Sequence, residues 1–159
     1  MEFLVYIGMA AIVFSILGNF SFETIWNKAR VATKDEVSQN ARFVLARMSF
    51  AIRNAQAINS PLAGSSSPAL SLAMLAAAAN PTVFDLFNGA VRISEGGSPP
   101  ESLTSNEVTV TSLQFLNVSY IGTPGTIRIE MTIEFNNASG RHEFDFTERY
   151  YTTINLRKR

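Results

Sequence analysis

The first 22 residues constrain the fold more than any other part of the chain. No charged side chain occurs from Phe3 to Phe22, and most of these residues are apolar. A helix of about 20 residues crosses a hydrocarbon core of ~30 Å at ~1.5 Å per residue. This pattern predicts a transmembrane helix over residues 1–22. Glu2 is the exception, because a carboxylate at the edge of such a segment requires a partner or polar surroundings.

One other interpretation of this segment stays open, and so do two explanations of the charges that flank it. A cleaved secretory signal has a basic start and a small-x-small exit, whereas this chain starts with an acid and has a polar and aromatic exit at residues 19–23. Lys28, Arg30 and Lys34 follow the segment, and nothing basic precedes it. Either the C-terminal part faces the cytoplasm, as the positive-inside rule indicates, or a basic leader precedes residue 1.

The helical periodicity continues beyond Phe22, because no proline occurs before Pro61 and apolar residues recur at steps of three and four. These apolar positions are Val37, Ala41, Val44, Leu45, Met48, Ile52 and Ala55. They form one stripe that needs a covering surface. We predict one helix from about Glu2 to Asn59, whose amphipathic half occupies residues 23–60 and ends before Pro61.

The second half of the chain has the patterns of an antiparallel sheet. Residues 61–68 are rich in glycine, serine and proline and predict a loop, and residues 69–159 predict a head domain. Residues 69–79 are ambiguous, because Leu70, Leu72 and Met74 alternate with other residues while the alanines favour helix. We expect a strand followed by a loop there.

Sharper strand signals follow. Asn88-Gly89 separates the β-rich runs 82–87 and 90–94 and is typical of a two-residue hairpin turn. Residues 126–135 alternate apolar and polar, which predicts a half-buried strand, and residues 142–155 are expected to return beside it. Short strands are expected at 108–110 and 113–118, with an exposed loop at 95–101. The predicted fold class is α+β, a long N-terminal helix with a transmembrane half and an amphipathic half, packed on a C-terminal antiparallel β-sheet.

Composition gives little support for an enzyme. The chain of 159 residues has no cysteine, one histidine and zero formal net charge, which excludes disulfides, thiolate chemistry and a histidine-rich metal site. His142, Glu143, Asp145 and Glu148 lie close together in sequence. On a strand, however, His142 points away from Glu143 and Asp145. We therefore predict no catalytic residue, no metal and no cofactor.

The start of the chain resembles type IV pilins and the related pseudopilins of type II secretion systems. Residues Met1 to Gly8 fit the prepilin pattern Gly-Phe-Thr-Leu-(Ile/Met)-Glu-(Leu/Phe)-Leu-Val-x-Ile, in which Glu2 matches the glutamate. Further similarity to minor pseudopilins lies at residues 41–55 and 151–157. The resemblance implies a long two-part helix with a sheet domain, and a structural subunit that assembles through its helix into a type IV pilus or a secretion pseudopilus.

The resemblance also implies roles for single residues. In the family, the glutamate that corresponds to Glu2 pairs with the N-terminal amine of a neighbouring subunit, which neutralises the acid and fixes register. Phe3, Leu4, Val5 and Ile7 pack in a membrane or filament core. The implied partners are other pilin subunits, a membrane, a prepilin peptidase and an assembly platform. The implied location is a single-pass membrane protein that then enters an extracellular or periplasmic filament.

Two departures from the family pattern refine these expectations. The Gly-Phe-Thr-Leu segment and a basic leader do not precede Met1, so we expect a start placed at an internal methionine or a trimmed chain. The lack of cysteine excludes the C-terminal disulfide loop that is common in major pilins. This favours a minor pilin or pseudopilin.

Two other functions fit parts of the sequence. The tail at residues 157–159 is basic, and some minor pilins bind DNA, but three terminal charges are typical of a solvated tail. DNA binding is therefore not expected. A single-pass membrane-anchored extracytoplasmic binding domain that does not polymerise shares the apolar segment and the sheet. A flexible linker after the apolar segment would favour that alternative, and the sequence shows none.

Overall fold

The architecture is one long helix followed by short antiparallel strands. The computed structural model describes residues 2–120, 123–138 and 140–157, and within them the side chains of residues 16, 18–27, 29 and 143 are not described. Helix α1 covers Glu2–Asn54. The strands are β1 Ala55–Ser60, β2 Ser66–Ser67, β3 Leu70–Met74, β4 Thr82–Phe87, β5 Ala90–Glu95, β6 Glu101–Ser102, β7 Val108–Asn117, β8 Thr126–Phe135 and β9 Thr147–Asn155. Short 3-10 helices lie at Ala77–Ala79 and His142–Phe144.

The strands form two antiparallel sheets, where the sequence predicted one. The first has the order β1-β3-β4-β5-β6 and the second β2-β7-β8-β9. The β4–β5 hairpin turns at Asn88 and Gly89 as predicted, and these residues have φ values of 50° and 76°. Positive φ at both positions is what a type I′ turn requires. Strand β7 is continuous across a register shift between Val110 and Ser112, where two short strands were predicted.

Helix α1 ends at Asn54, so the prediction that it continues to Asn59 is wrong. Residues 55–60 form β1 and pair with β3, with Ala55 opposite Met74 and Ser60 opposite Ser71. The pairing gives this backbone hydrogen-bond partners in another segment, and tertiary context of this kind overrides local helical propensity. The predicted amphipathic half therefore stops short of residue 60.

One buried cluster joins α1 to both sheets. The predicted stripe is confirmed from Val37 to Ile52, where five of its residues are fully buried and Leu45 is partly buried. The five are Val37, Ala41, Val44, Met48 and Ile52. Ala55 is also buried, but it lies in β1 and not on the helix. The helix packs mainly against β8 and β9. The alternation predicted for residues 126–135 is also confirmed, because Ile127, Ile129, Met131 and Ile133 are buried on one face.

The predicted transmembrane half of α1 is wrong, and the predicted fold class and membrane location are corrected with it. Within the described ranges, no helix is long and apolar enough to cross a membrane. A crossing needs about 20 consecutive apolar residues in one helix. The membrane-anchored alternative depended on the same crossing and is not supported. The predictions for Met1, the side chains of residues 18–27, Lys158 and Arg159 lie outside the described residues.

Candidate assembly surface

The first turns of α1 expose their apolar side chains. The predicted packing residues Phe3, Leu4, Val5 and Ile7 are 76%, 70%, 59% and 51% exposed. The large apolar residues Tyr6, Met9, Ile12, Val13 and Phe14 are also more than half exposed. At about 100° per residue, these positions point in every direction around the helix axis. Residues 3–14, called here the exposed apolar segment, therefore have an apolar surface on all sides.

Glu2 begins this segment. Its side chain is exposed in the first turn of α1, and no other described residue forms a hydrogen bond or ion pair with it. The N-terminal end of a helix favours a negative charge, because the helix dipole is positive there. Glu2 is thus accommodated in the single chain, and its carboxylate is accessible to a partner.

The part of α1 that packs on the sheets, residues 33–54 and called here the packed half, carries two exposed aromatic residues on its outer face. Phe43 and Phe50 are exposed on the side opposite the buried Ala41 and Met48, where polar side chains are usual. Phe50 lies beside an open groove of about 850 Å³ between the last turns of α1 and the end of β9, called here the α1–β9 groove. The groove is lined by Ala46, Ser49, Phe50, Arg53, Asn54, Thr153, Ile154, Asn155 and Arg157.

Sequence reasoning missed this groove. One wall is formed by residues 46–54 of α1 and the other by residues 153–157 at the end of β9. These segments are far apart in sequence, so no local pattern connects them. One sequence signal was Phe50, an aromatic residue on the outer face of the helix that lines the groove.

His142, Glu143 and Asp145 do not lie on a strand, so the prediction of a strand from residue 142 is wrong, whereas Glu148 does lie on β9. His142–Phe144 is a 3-10 helix, and β9 begins at Thr147. The turn brings His142 Nδ1 within 3.1 Å of Asp145 Oδ2. Asn137 Nδ2 donates to Asp145 Oδ1 at 2.7 Å. The hydrogen bond from Asn137 and then the contact with His142 lower the pKa of Asp145.

The His142–Asp145 pair faces an open cavity of about 370 Å³ beside α1, which is also lined by Arg30, Val31, Lys34 and Phe146. The side chains of His142 and Asp145 are 99% and 58% exposed. Exposure of this degree leaves both groups solvated, whereas catalytic acids and bases are usually tuned by burial. In the described part of the chain, no group of three or more His, Cys, Asp or Glu residues could hold a metal ion.

Comparisons of the chain with protein-family models, with characterised proteins and with solved structures gave no match. The features of the described residues that indicate a contact with another molecule are the exposed apolar segment, Glu2 and the α1–β9 groove.

Proposed function

We propose that the chain is a structural pilin-like subunit that assembles through the N-terminal part of α1 into a type IV pilus or a secretion pseudopilus. The observation that carries this proposal is the exposed apolar segment. Soluble monomers rarely expose contiguous apolar patches larger than a few hundred Å², and larger patches mark surfaces that another molecule covers. The role consists of packing and display, with no chemical step.

The distribution of apolar residues around α1 supports several partners rather than one. The packed half of α1 is apolar on one stripe, and one surface built mainly from β8 and β9 covers it. A helix that is apolar on all sides needs neighbours on all sides. Copies of the same helix supply such neighbours, and a head-to-tail contact that does not close into a ring builds a filament.

The resemblance of Met1 to Gly8 to prepilins supports the specific class of filament. Glu2 supports ordered packing, because an acid that an apolar contact between subunits buries requires an opposite charge. Only some offsets between subunits bring the two charges together, so the pair restricts register. The prepilin peptidase and the assembly platform follow from the resemblance alone.

Assembly of the purified full chain tests this proposal with a matched pair of variants. Leu4 in the exposed apolar segment and Leu62 in the loop between β1 and β2 are 70% and 76% exposed. We expect wild type and Leu62→Ser to form filaments, visible by negative-stain electron microscopy and pelleted by ultracentrifugation. Leu4→Ser should raise the protein concentration above which filaments form by about tenfold, which is the effect of losing one well-packed side chain from an interface. A dispersed wild type, or equal assembly of both variants, would contradict the proposal.

A further inference from the structure

We propose that the α1–β9 groove receives the first turn of α1 from a second copy, with Glu2 placed against Arg53 and Arg157. The inference rests on the proposed function and names the site at which that assembly makes its charged contact. Arg53 and Arg157 are both exposed. Neither guanidinium has a hydrogen bond or ion pair with another residue that the structure describes, and the groove lining contains no acidic residue. Two cations without a counter-charge favour an anionic occupant.

The lining of the groove contains these two cations and, beside them, apolar side chains. The Arg157 backbone N–H donates to the Arg53 carbonyl at 3.3 Å, which holds the two arginines side by side at the end of α1. Phe50, 62% exposed, lies one turn earlier on the helix, and Ala46 lies one turn before that. An occupant that fits both features has one acidic group directly beside large apolar side chains.

The first turn of α1 has this combination, because Glu2 is followed directly by Phe3 and Leu4. Two other acids have partners within the chain. Glu95 already forms an ion pair with Arg47, and Glu36 accepts a hydrogen bond from Asn40. The groove volume of about 850 Å³ is within the usual range for clefts that enclose a small ligand, ~300–1,000 Å³, and suits a helical turn better than a whole helix.

One chain thus carries both halves of a contact, which is what a repeating head-to-tail assembly requires. The proposed counter-charge for Glu2 lies on the head of another subunit. The resemblance to pilins implies a different counter-charge, the N-terminal amine of a neighbour. The two assignments predict different effects of substituting Arg53 and Arg157.

Introduced cysteines test the contact directly, since the chain has none of its own. In the full chain with Phe3→Cys and Phe50→Cys, mild copper–phenanthroline oxidation should link assembled subunits into a ladder on a denaturing gel. The control is Phe3→Cys with Leu75→Cys, because Leu75 is 64% exposed and does not line the groove. The control should stay monomeric. Filaments without a ladder in the first variant, or equal ladders in both, would overturn the inference.

Charge reversal provides the second measurement. Arg53→Glu with Arg157→Glu should raise the assembly threshold about tenfold or more, because it places like charges opposite Glu2. Adding Glu2→Arg to that chain should restore assembly, and Arg42→Glu with Arg128→Glu, outside the groove, should leave it unchanged. Circular dichroism melting confirms that each head is folded. If wild type assembles and the Arg53/Arg157 variant assembles equally well, this inference fails and the proposed function stands. A dispersed wild type overturns both.

Discussion

The two halves of α1 belong to one helix, yet their apolar side chains have opposite environments. Ile52, in the half that packs on the head, is fully buried, whereas Ile12, in the exposed apolar segment, is 62% exposed. The same residue type in the same secondary structure differs because β8 and β9 lie beside one half. Helical conformation therefore does not decide burial. The packed half stabilises the head, and the exposed half supplies surface for a contact between molecules.

Polar contacts also distinguish the two halves of α1, because they attach the packed half to the head. Asn40 Oδ1 accepts from the Ser105 backbone N–H at 2.9 Å, and Arg47 donates to Glu95 at 2.8 Å. These contacts join α1 to the loop before β7 and to the last residue of β5. They restrict rotation of the helix about its axis, so that the buried stripe keeps facing the sheets.

The largest expected effect comes from truncating the same residue in each half. Ile52→Ala removes buried methyl groups and leaves a cavity, so the free energy of unfolding should fall by about 2–5 kcal/mol. Ile12→Ala changes an exposed side chain and should stay within about 0.5 kcal/mol of wild type. Urea unfolding followed by circular dichroism, in dilute protein that does not assemble, measures both. Similar losses for the two variants would show that the exposed apolar segment is covered within the monomer.

Local sequence patterns predicted several features of the packed half and of the sheets. The stripe from Val37 to Ile52, the alternation over residues 126–135 and the Asn88-Gly89 turn are all encoded within a few residues, so periodicity and turn chemistry identify them. The assembly role of Glu2 and of the apolar residues after it was implied by the resemblance to pilins. That function stays a proposal.

Other features depend on pairings between distant segments, and local patterns do not report them. The end of α1 at Asn54 is set by pairing of β1 with β3, and the division into two sheets is set by which strands meet. The α1–β9 groove likewise places Arg157 beside Arg53 through a backbone hydrogen bond across the fold. The membrane prediction is wrong because, among the described residues, no helix is long and apolar enough for a crossing.

A smaller effect is expected from the ion pair that ties the packed half to the head. Arg47 Nη2 lies 2.8 Å from Glu95 Oε1, and both side chains are more than a third exposed. A double-mutant cycle with Arg47→Ala and Glu95→Ala should give a coupling energy of about 0.2–1 kcal/mol. The coupling should weaken between low and high salt, because exposed charges are screened. A coupling that salt does not change would contradict a solvated ion pair.

The smallest effect concerns Asp145, which lies where the packed half of α1 begins, beside Arg30 and Lys34. Its pKa in the folded chain is lowered from the usual 3.8, first by the Asn137 hydrogen bond and then by His142. A lowered folded pKa stabilises the fold above the unfolded pKa, and this stabilisation is lost as the pH falls through the folded pKa. Melting temperatures from pH 7 to about 3 should therefore fall more steeply in wild type than in Asp145→Asn. His142→Ala should have an intermediate slope, because it removes only the weaker contact. Equal slopes for wild type and Asp145→Asn would mean that the contacts of Asp145 with Asn137 and His142 do not contribute to the stability of the fold.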